Sequence, residues 1–289
     1  MLKPILDYKQ YDSRWGSLPY RTAGENSTIK SAGCGPTALA IVLASLVNPA
    51  IDPVTCASWS LMRGYKYKNQ GTAHAYICAH ANQYAIPITR LNTSNVYKNL
   101  NAPAHDAALQ VLKDGGWLIA CMGKGNWTTS GHYIVVYGYE NGYVYISDPS
   151  STKATRLKNT WELFRSEVKY YWAISANTVN ACYSKTRTAS VRQKDFVREC
   201  QYLLGAGIDE VAGPNTLAHT ISVSRTKNRK HAVVRTLQKI IGVPHTGWDS
   251  IAGATFDACM KQYQKANGCT ADGEATASGR TWKKMLGLI

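Results

Sequence analysis

The sequence predicts an α+β domain over residues 1–178, a linker over 179–190 and a small all-α domain over 191–289. Three observations carry this. An apolar helical run follows a Gly-Cys-Gly-Pro turn near residue 34. Alternating strands crowd residues 130–175. After about residue 190 the apolar spacing turns helical and partly repeats itself. A chain of 289 residues is also long for one domain, since domains usually hold about 100–200 residues.

In Ser31-Ala-Gly-Cys-Gly-Pro-Thr-Ala-Leu-Ala40, Pro36 suits a first helical turn, and Ala38 to Leu46 reads as a buried helix. Gly33 and Gly35 allow a sharp turn and close approach of a ligand. Cys34 thereby sits at a helix N-terminus, where the helix dipole favours the thiolate.

Ser130-Gly-His-Tyr-Ile-Val-Val-Tyr-Gly-Tyr139 places His132 at the start of an alternating strand. Asn141-Gly142 signals a hairpin, and the return strand Tyr143–Ser147 ends at Asp148-Pro149. Cys34, His132 and Asp148 thus follow the order nucleophile, base, orienting carboxylate. A strict two-residue turn, however, sets Asp148 opposite Val135, on the other face from His132. Contact requires a bulge, a longer turn, or an Asp148 lying beyond the paired region.

The motifs GCGPTALA, SGHYIVVYGY and YISDPS resemble the C39-like family of papain-fold cysteine peptidases, over roughly residues 1–178. The resemblance implies a papain-like fold, Cys34 as nucleophile, His132 as base and Asp148 as its orienting partner. It further implies that Gln10, in Tyr8–Gly16, donates to the oxyanion beside the Cys34 N–H. Trp127, just before the histidine, is a candidate wall of the substrate cleft. No metal or other cofactor is expected. His74, Cys78 and His80 have ligand-type side chains but no second ligand pair, and read as a core helix with polar edges. The eight cysteines include no CxxC pair and fit a reduced chain.

Trp172–Ser175 reads as a last strand, and the polar stretch after it as the linker. Residues 197–217 and 233–256 then share a helix, an Asp-containing turn and a second helix; only the second copy continues, through 260–286. Residues 228–289 resemble the three-helix peptidoglycan-binding domain of wall hydrolases, departing from it at Ser250, where glycine is usual. Residues 191–227 match half of that unit. The resemblance makes Asp249, Tyr263 and Trp282 candidates for a glycan groove.

Residues 1–178 carry 17 Lys+Arg against 10 Asp+Glu, and residues 179–289 carry 16 against 8, so both parts attract polyanions. Peptidoglycan and anionic wall polymers are the expected partners. Nucleic acid is not, because the basic run Arg225–His231 has no interleaved aromatics. No 18-residue apolar run exists, so no membrane span is expected, and the first residues lack the apolar region of a signal peptide.

Together the two resemblances match the plan of phage or prophage endolysins, made in the host cytoplasm and released through holin pores. They imply hydrolysis of amide bonds in wall stem peptides or cross-bridges. The alternatives are an N-acetylmuramoyl-L-alanine amidase using the same site, and a wall-binding protein whose peptidase domain is inactive.

Overall fold

The computed structural model describes residues 2–289 and divides the chain into two compact units, Met1–Arg187 and Thr188–Ile289. In the first unit four helices precede the sheet: α1 (Ile29–Ala32), α2 (Cys34–Leu46), α3 (Pro53–Met62) and α4 (Tyr76–Ala81). Thr28 caps α1 through a reciprocal bond with Ser31, and Asp52 caps α3 with Pro53 in its first turn. Every residue of α2 after Cys34 is buried, as a helix apolar on all sides must be. It packs against α3, α4 and the sheet.

The sheet is built from β1 (Thr89–Arg90), then, after α5 (Pro103–Lys113), from β2 (Trp117–Met122), β3 (His132–Glu140) and β4 (Tyr143–Ser147). Helix α6 (Ala154–Leu157), β5 (Lys158–Thr160), α7 (Trp161–Glu167), β6 (Val168–Ile174) and α8 (Ala176–Tyr183) complete the unit. The strand order is β1-β6-β2-β3-β4-β5, antiparallel throughout. All six residues of β2 are buried, so this central strand is covered on both faces. Ala108 and Leu112 of α5 join Leu118, Ala120, Ile134 and Val136 in one core cluster. Each such fully buried Leu, Ile or Val contributes roughly 1.5–3 kcal/mol.

The predicted linker begins too early. Residues Ala176–Tyr183 form α8, capped by Ser175, whose hydroxyl accepts from the Thr178 amide. Buried Val179 and the edge-on contact of Trp117 with Tyr183 tie this helix to the first unit.

The second unit contains α9 (Gln193–Leu204), α10 (Pro214–Ala218), α11 (Val233–Ile240), α12 (Ala254–Ala266) and α13 (Arg280–Leu286). It repeats one device three times. Near the end of a helix, Gln201, Gln238 and Gln264 each donate to an aspartate that opens the following turn: Asp209 at 2.6 Å, Asp249 at 2.8 Å and Asp272 at 2.8 Å. The same amides return an oxygen to a turn N–H, at Glu210, Ser250 and Gly273. Those three residues have φ of +66°, +66° and +82°. Only the third copy uses glycine where the backbone is left-handed, so the glutamine brace holds Glu210 and Ser250 against their own preference.

Residues 191–227 are therefore not an appendage. Their helix α9 packs on α11 and α13. A buried ion pair, Lys239 Nζ to both Glu199 oxygens at 2.9 and 3.0 Å, joins α9 to α11, and the Thr236 hydroxyl donates to the same carboxylate.

The three groove candidates differ in their surroundings. Trp282 is fully buried, with its indole N–H donating to the Ile221 carbonyl. Asp249 spends one carboxylate oxygen on Gln238 and the Ile251 N–H. Tyr263 is half-buried and keeps a solvent-facing edge.

Candidate active site

Helix α2 begins at Cys34, with Gly33 as its cap residue. Gly33 has φ of −90°, which any residue adopts. Packing is what demands glycine here. A Cβ on Gly33 would lie 2.6 Å from the Ile29 carbonyl oxygen, and one on Gly35 would lie 2.8 Å from Thr72. Thr72 is held in turn by Tyr20, which also bonds Ser60, and its carbonyl accepts from the Tyr133 hydroxyl. The loop 69–72 is thus fixed against the start of α2.

The Asp148 problem is solved by a bulge. The register runs Glu140↔Tyr143 to Gly138↔Tyr145, slips at Tyr137, and resumes as Val136↔Ile146 and Val135↔Ser147. One residue of β3 is absorbed, so Asp148 falls in register with Ile134 rather than Val135, in step with His132. The His132 Nε2 to Asp148 Oδ1 distance is 2.6 Å. Beside the bulge, a Cβ on Gly138 would meet Leu2 Cδ2, so the amino-terminal segment packs against the strand there. The same segment runs on along the end of β4. Asp7 accepts from the Ser147 hydroxyl, Lys9 Nζ donates to the Asp148 carbonyl at 2.8 Å, and the Gln10 N–H donates to the Pro149 carbonyl at 2.8 Å.

Ser150 was not singled out from the sequence, although it lies in the quoted Asp-Pro-Ser turn. Its N–H donates to Asp148 Oδ1 at 2.7 Å, and its hydroxyl lies 3.1 Å from both that oxygen and His132 Nε2. It fixes the carboxylate against the imidazole.

The electrostatics favour a thiolate–imidazolium pair. Burial alone would raise the Cys34 pKa, but hydrogen bonding to His132, the charge on that ring and the Tyr133 and Gly35 amides together lower it. Burial alone would lower the His132 pKa, but Asp148 and Cys34 outweigh it and raise it to about 9. Asp148 is held below its ordinary value: His132 and Ser150 overcome the penalty of burial. With Nε2 engaged by Asp148, the ring's Nδ1 is left for the thiol.

Gln10 is buried between α1 and the Asp148 turn. Its Nε2 donates to the Lys30 carbonyl at 2.5 Å, and its Oε1 has no partner. One amide hydrogen stays uncommitted. Trp127 does not wall the cleft. It is 1 % exposed, its indole N–H donates to the Arg156 carbonyl at 2.9 Å, and its ring meets Phe164 edge-on in the core. An indole wedged into that core cluster has no face left for a ligand.

A cavity of about 540 Å³ opens beside Cys34 and His132. The loop 69–72, His74, Asn95, Cys121, Tyr133, Lys169 and Tyr170 line it, none of which the sequence reading placed there. His80, by contrast, is a core residue, bonded through Nδ1 to Tyr76 at 2.9 Å and stacked on Trp59. Among the described residues no group of three or more His, Cys, Asp or Glu could hold a metal, and no helix is long and apolar enough to cross a membrane.

The profile of the Peptidase C39 like family matches residues 8–180. No curated protein sequence matches the chain. Among solved structures, the chain is similar to a double glycine motif protease from an AMS/PCAT transporter, in complex with a leader peptide. That match has 16% identity and a TM-score of 0.36, over 60% of this chain and 91% of the other. The peptidase domain of Streptococcus ComA, a bifunctional ABC transporter involved in quorum sensing, matches at 23% identity and a TM-score of 0.31, over 49% and 90%. The family match spans more than half of the sequence and includes Cys34, His132 and Asp148; the chain belongs to the C39-like peptidase family.

Proposed function

We propose that this protein is a cysteine peptidase that hydrolyses amide bonds in the peptide part of bacterial peptidoglycan, on the plan of a phage endolysin. The observation that carries the catalytic half is the 2.6 Å His132–Asp148 contact behind a Cys34 thiol of lowered pKa. The wall-directed half is supported by the likeness of residues 228–289 to peptidoglycan-binding domains and by the basic charge of both parts of the chain.

The mechanism follows from the geometry. Cys34 attacks the scissile carbonyl as thiolate. The Cys34 N–H and the uncommitted Gln10 amide hydrogen stabilise the oxyanion, a donor of this kind being worth about 3–4 kcal/mol. The His132 imidazolium protonates the leaving amine, and the neutral ring then activates water to release the acyl group. Asp148 and Ser150 keep the ring in its working tautomer. The second unit raises the local concentration of enzyme on an insoluble substrate.

The test is turbidity loss of purified Gram-positive walls by wild type and Cys34→Ala in parallel. Wild type alone should clear the suspension, and new amino termini within stem peptides or cross-bridges should appear. Clearing by both proteins would end the cysteine mechanism. Release of intact stem peptides from glycan would move the assignment to an amidase.

A pH prediction accompanies it. The active pair needs Cys34 deprotonated and His132 protonated. Its rate therefore rises through the lowered Cys34 pKa on the acid side and falls as His132 loses its proton near pH 9. kcat/KM should stay flat across neutrality and decline around pH 9. An alkaline limb centred near 6.5 would mean that the imidazole is neutral in the free enzyme.

A further inference from the structure

We propose that the cavity beside Cys34 selects peptides bearing a carboxylate close to the scissile bond, and that Lys169 is the residue that reads it. This rests on the reading of Cys34 and His132 as a peptidase centre and adds the class of substrate.

Apart from the Cys34–His132 pair, whose opposite charges offset one another, the cavity lining has one sign. Its walls contain Lys169 and two histidines but no Asp or Glu among the described residues. Lys169 Nζ makes one hydrogen bond, to the Ser130 carbonyl at 2.9 Å. That bond ties the ammonium to the segment Ser130-Gly131-His132, two residues from the ring that handles the proton. Two of its three N–H donors remain for a ligand. Arg90, on the neighbouring strand β1, stacks over Tyr170 and Trp172 and spends its polar atoms on the Asn92 and Thr93 carbonyls. Among the described residues it too has no carboxylate partner, and it adds to the same field. Three cations buried elsewhere in the chain are neutralised by carboxylates: Lys66 by Glu25, Arg198 by Asp195, Lys239 by Glu199.

A cationic wall without an internal counter-ion is matched by an anionic group on the ligand, through a charge-assisted hydrogen bond. At about 540 Å³ the cavity lies within the usual range for ligand sites, roughly 300–1,000 Å³. His74, half-buried between Tyr170, Trp172 and Tyr133, is driven toward its neutral form by burial and by the charges of Arg90 and Lys169. It gives the site an uncharged aromatic edge beside the ammonium. The carboxylates of wall stem peptides have this chemistry.

The experiment measures alkylation of Cys34 in the full-length protein, with peptide mass analysis to confirm the modified residue. The probes are two pairs of peptidyl chloromethyl ketones. Within each pair a glutamate is exchanged for glutamine, at the residue bearing the ketone in one pair and at the residue before it in the other. Iodoacetamide is the uncharged reference. Wild type should prefer the glutamate reagent by about fivefold or more in at least one pair, and 0.5 M salt should weaken that preference. Lys169→Met should bring the ratio to about one without changing the iodoacetamide rate, and Lys169→Arg should retain it. A wild-type ratio near one in both pairs, or a ratio indifferent to Lys169→Met, would overturn the proposal. Failure of the underlying peptidase reading looks different: Cys34 would then react with iodoacetamide at pH 7 no faster than glutathione does.

Discussion

Replacing His132 by alanine should lower kcat/KM for amide hydrolysis by about ten-thousandfold or more, the scale seen when one member of a nucleophile–base pair is removed. Two losses coincide. The proton donor for the leaving amine disappears, and Cys34 loses both the hydrogen bond and the positive charge that lower its pKa. What remains at Cys34 is burial, which raises it, opposed only by the Tyr133 and Gly35 amides. Hydrolysis and thiol reactivity should therefore fall together, the second read as the rate of Cys34 alkylation by iodoacetamide at pH 7. Collapse of hydrolysis with alkylation unchanged would mean that the α2 amides alone sustain the thiolate. Hydrolysis within tenfold of wild type would remove His132 from the mechanism.

The second large effect concerns stability. In the second unit Lys239 and Glu199 are each about 1 % exposed and bonded to one another across α9 and α11. Lys239→Met leaves Glu199 charged and buried with the Thr236 hydroxyl in place of the ammonium. Breaking such a pair from one side typically costs about 3–5 kcal/mol. Amide hydrogen exchange in α9 and α11 of the full-length chain should accelerate accordingly, while the sheet of the first unit stays protected. The double variant Glu199→Leu, Lys239→Met removes both charges and should recover most of the loss, since apolar side chains of similar volume often replace a buried pair at little cost. A single variant with exchange like wild type would mean that water already solvates the carboxylate.

The parts of the site that could be read from sequence are those encoded by neighbours along the chain. Gly-Cys-Gly-Pro before an apolar run writes the start of α2, and Gly-His before an alternating run writes the start of β3. Asp148 could be named but not placed, because its position depends on the bulge at Tyr137, eleven residues away. One signal was present: Gly138 interrupts an otherwise bulky strand, and a glycine there marks a bulge or a close approach. The lining of the cavity was hidden for another reason. Lys169 and Tyr170 come from β6, Cys121 from β2 and His74 from the loop before α4, segments far apart in sequence that only the fold brings together. In the second unit the threefold device was obscured by unequal spacing. Asp209 and Asp272 follow their glutamines by eight residues, whereas the short 3-10 turn His245–Gly247 delays Asp249 to eleven. The best-matched copies are thus the first and third, with the longer second between them. Trp127 and Trp282 misled because an aromatic next to a functional motif is as useful to a core as to a ligand.

The amino-terminal strap has a consequence for timing. Residues 2–10 are translated well before their partners, Gly138, Ser147, Asp148 and Pro149, which are about 140 residues further on. Contacts of such long range form late, after the intervening chain has been made and has folded. Until then the turn at Asp148 and Pro149 lacks the strap that binds its carbonyls. The nucleophile and its helix are translated early, and the nascent chain carries them without their carboxylate until residue 148 has been made.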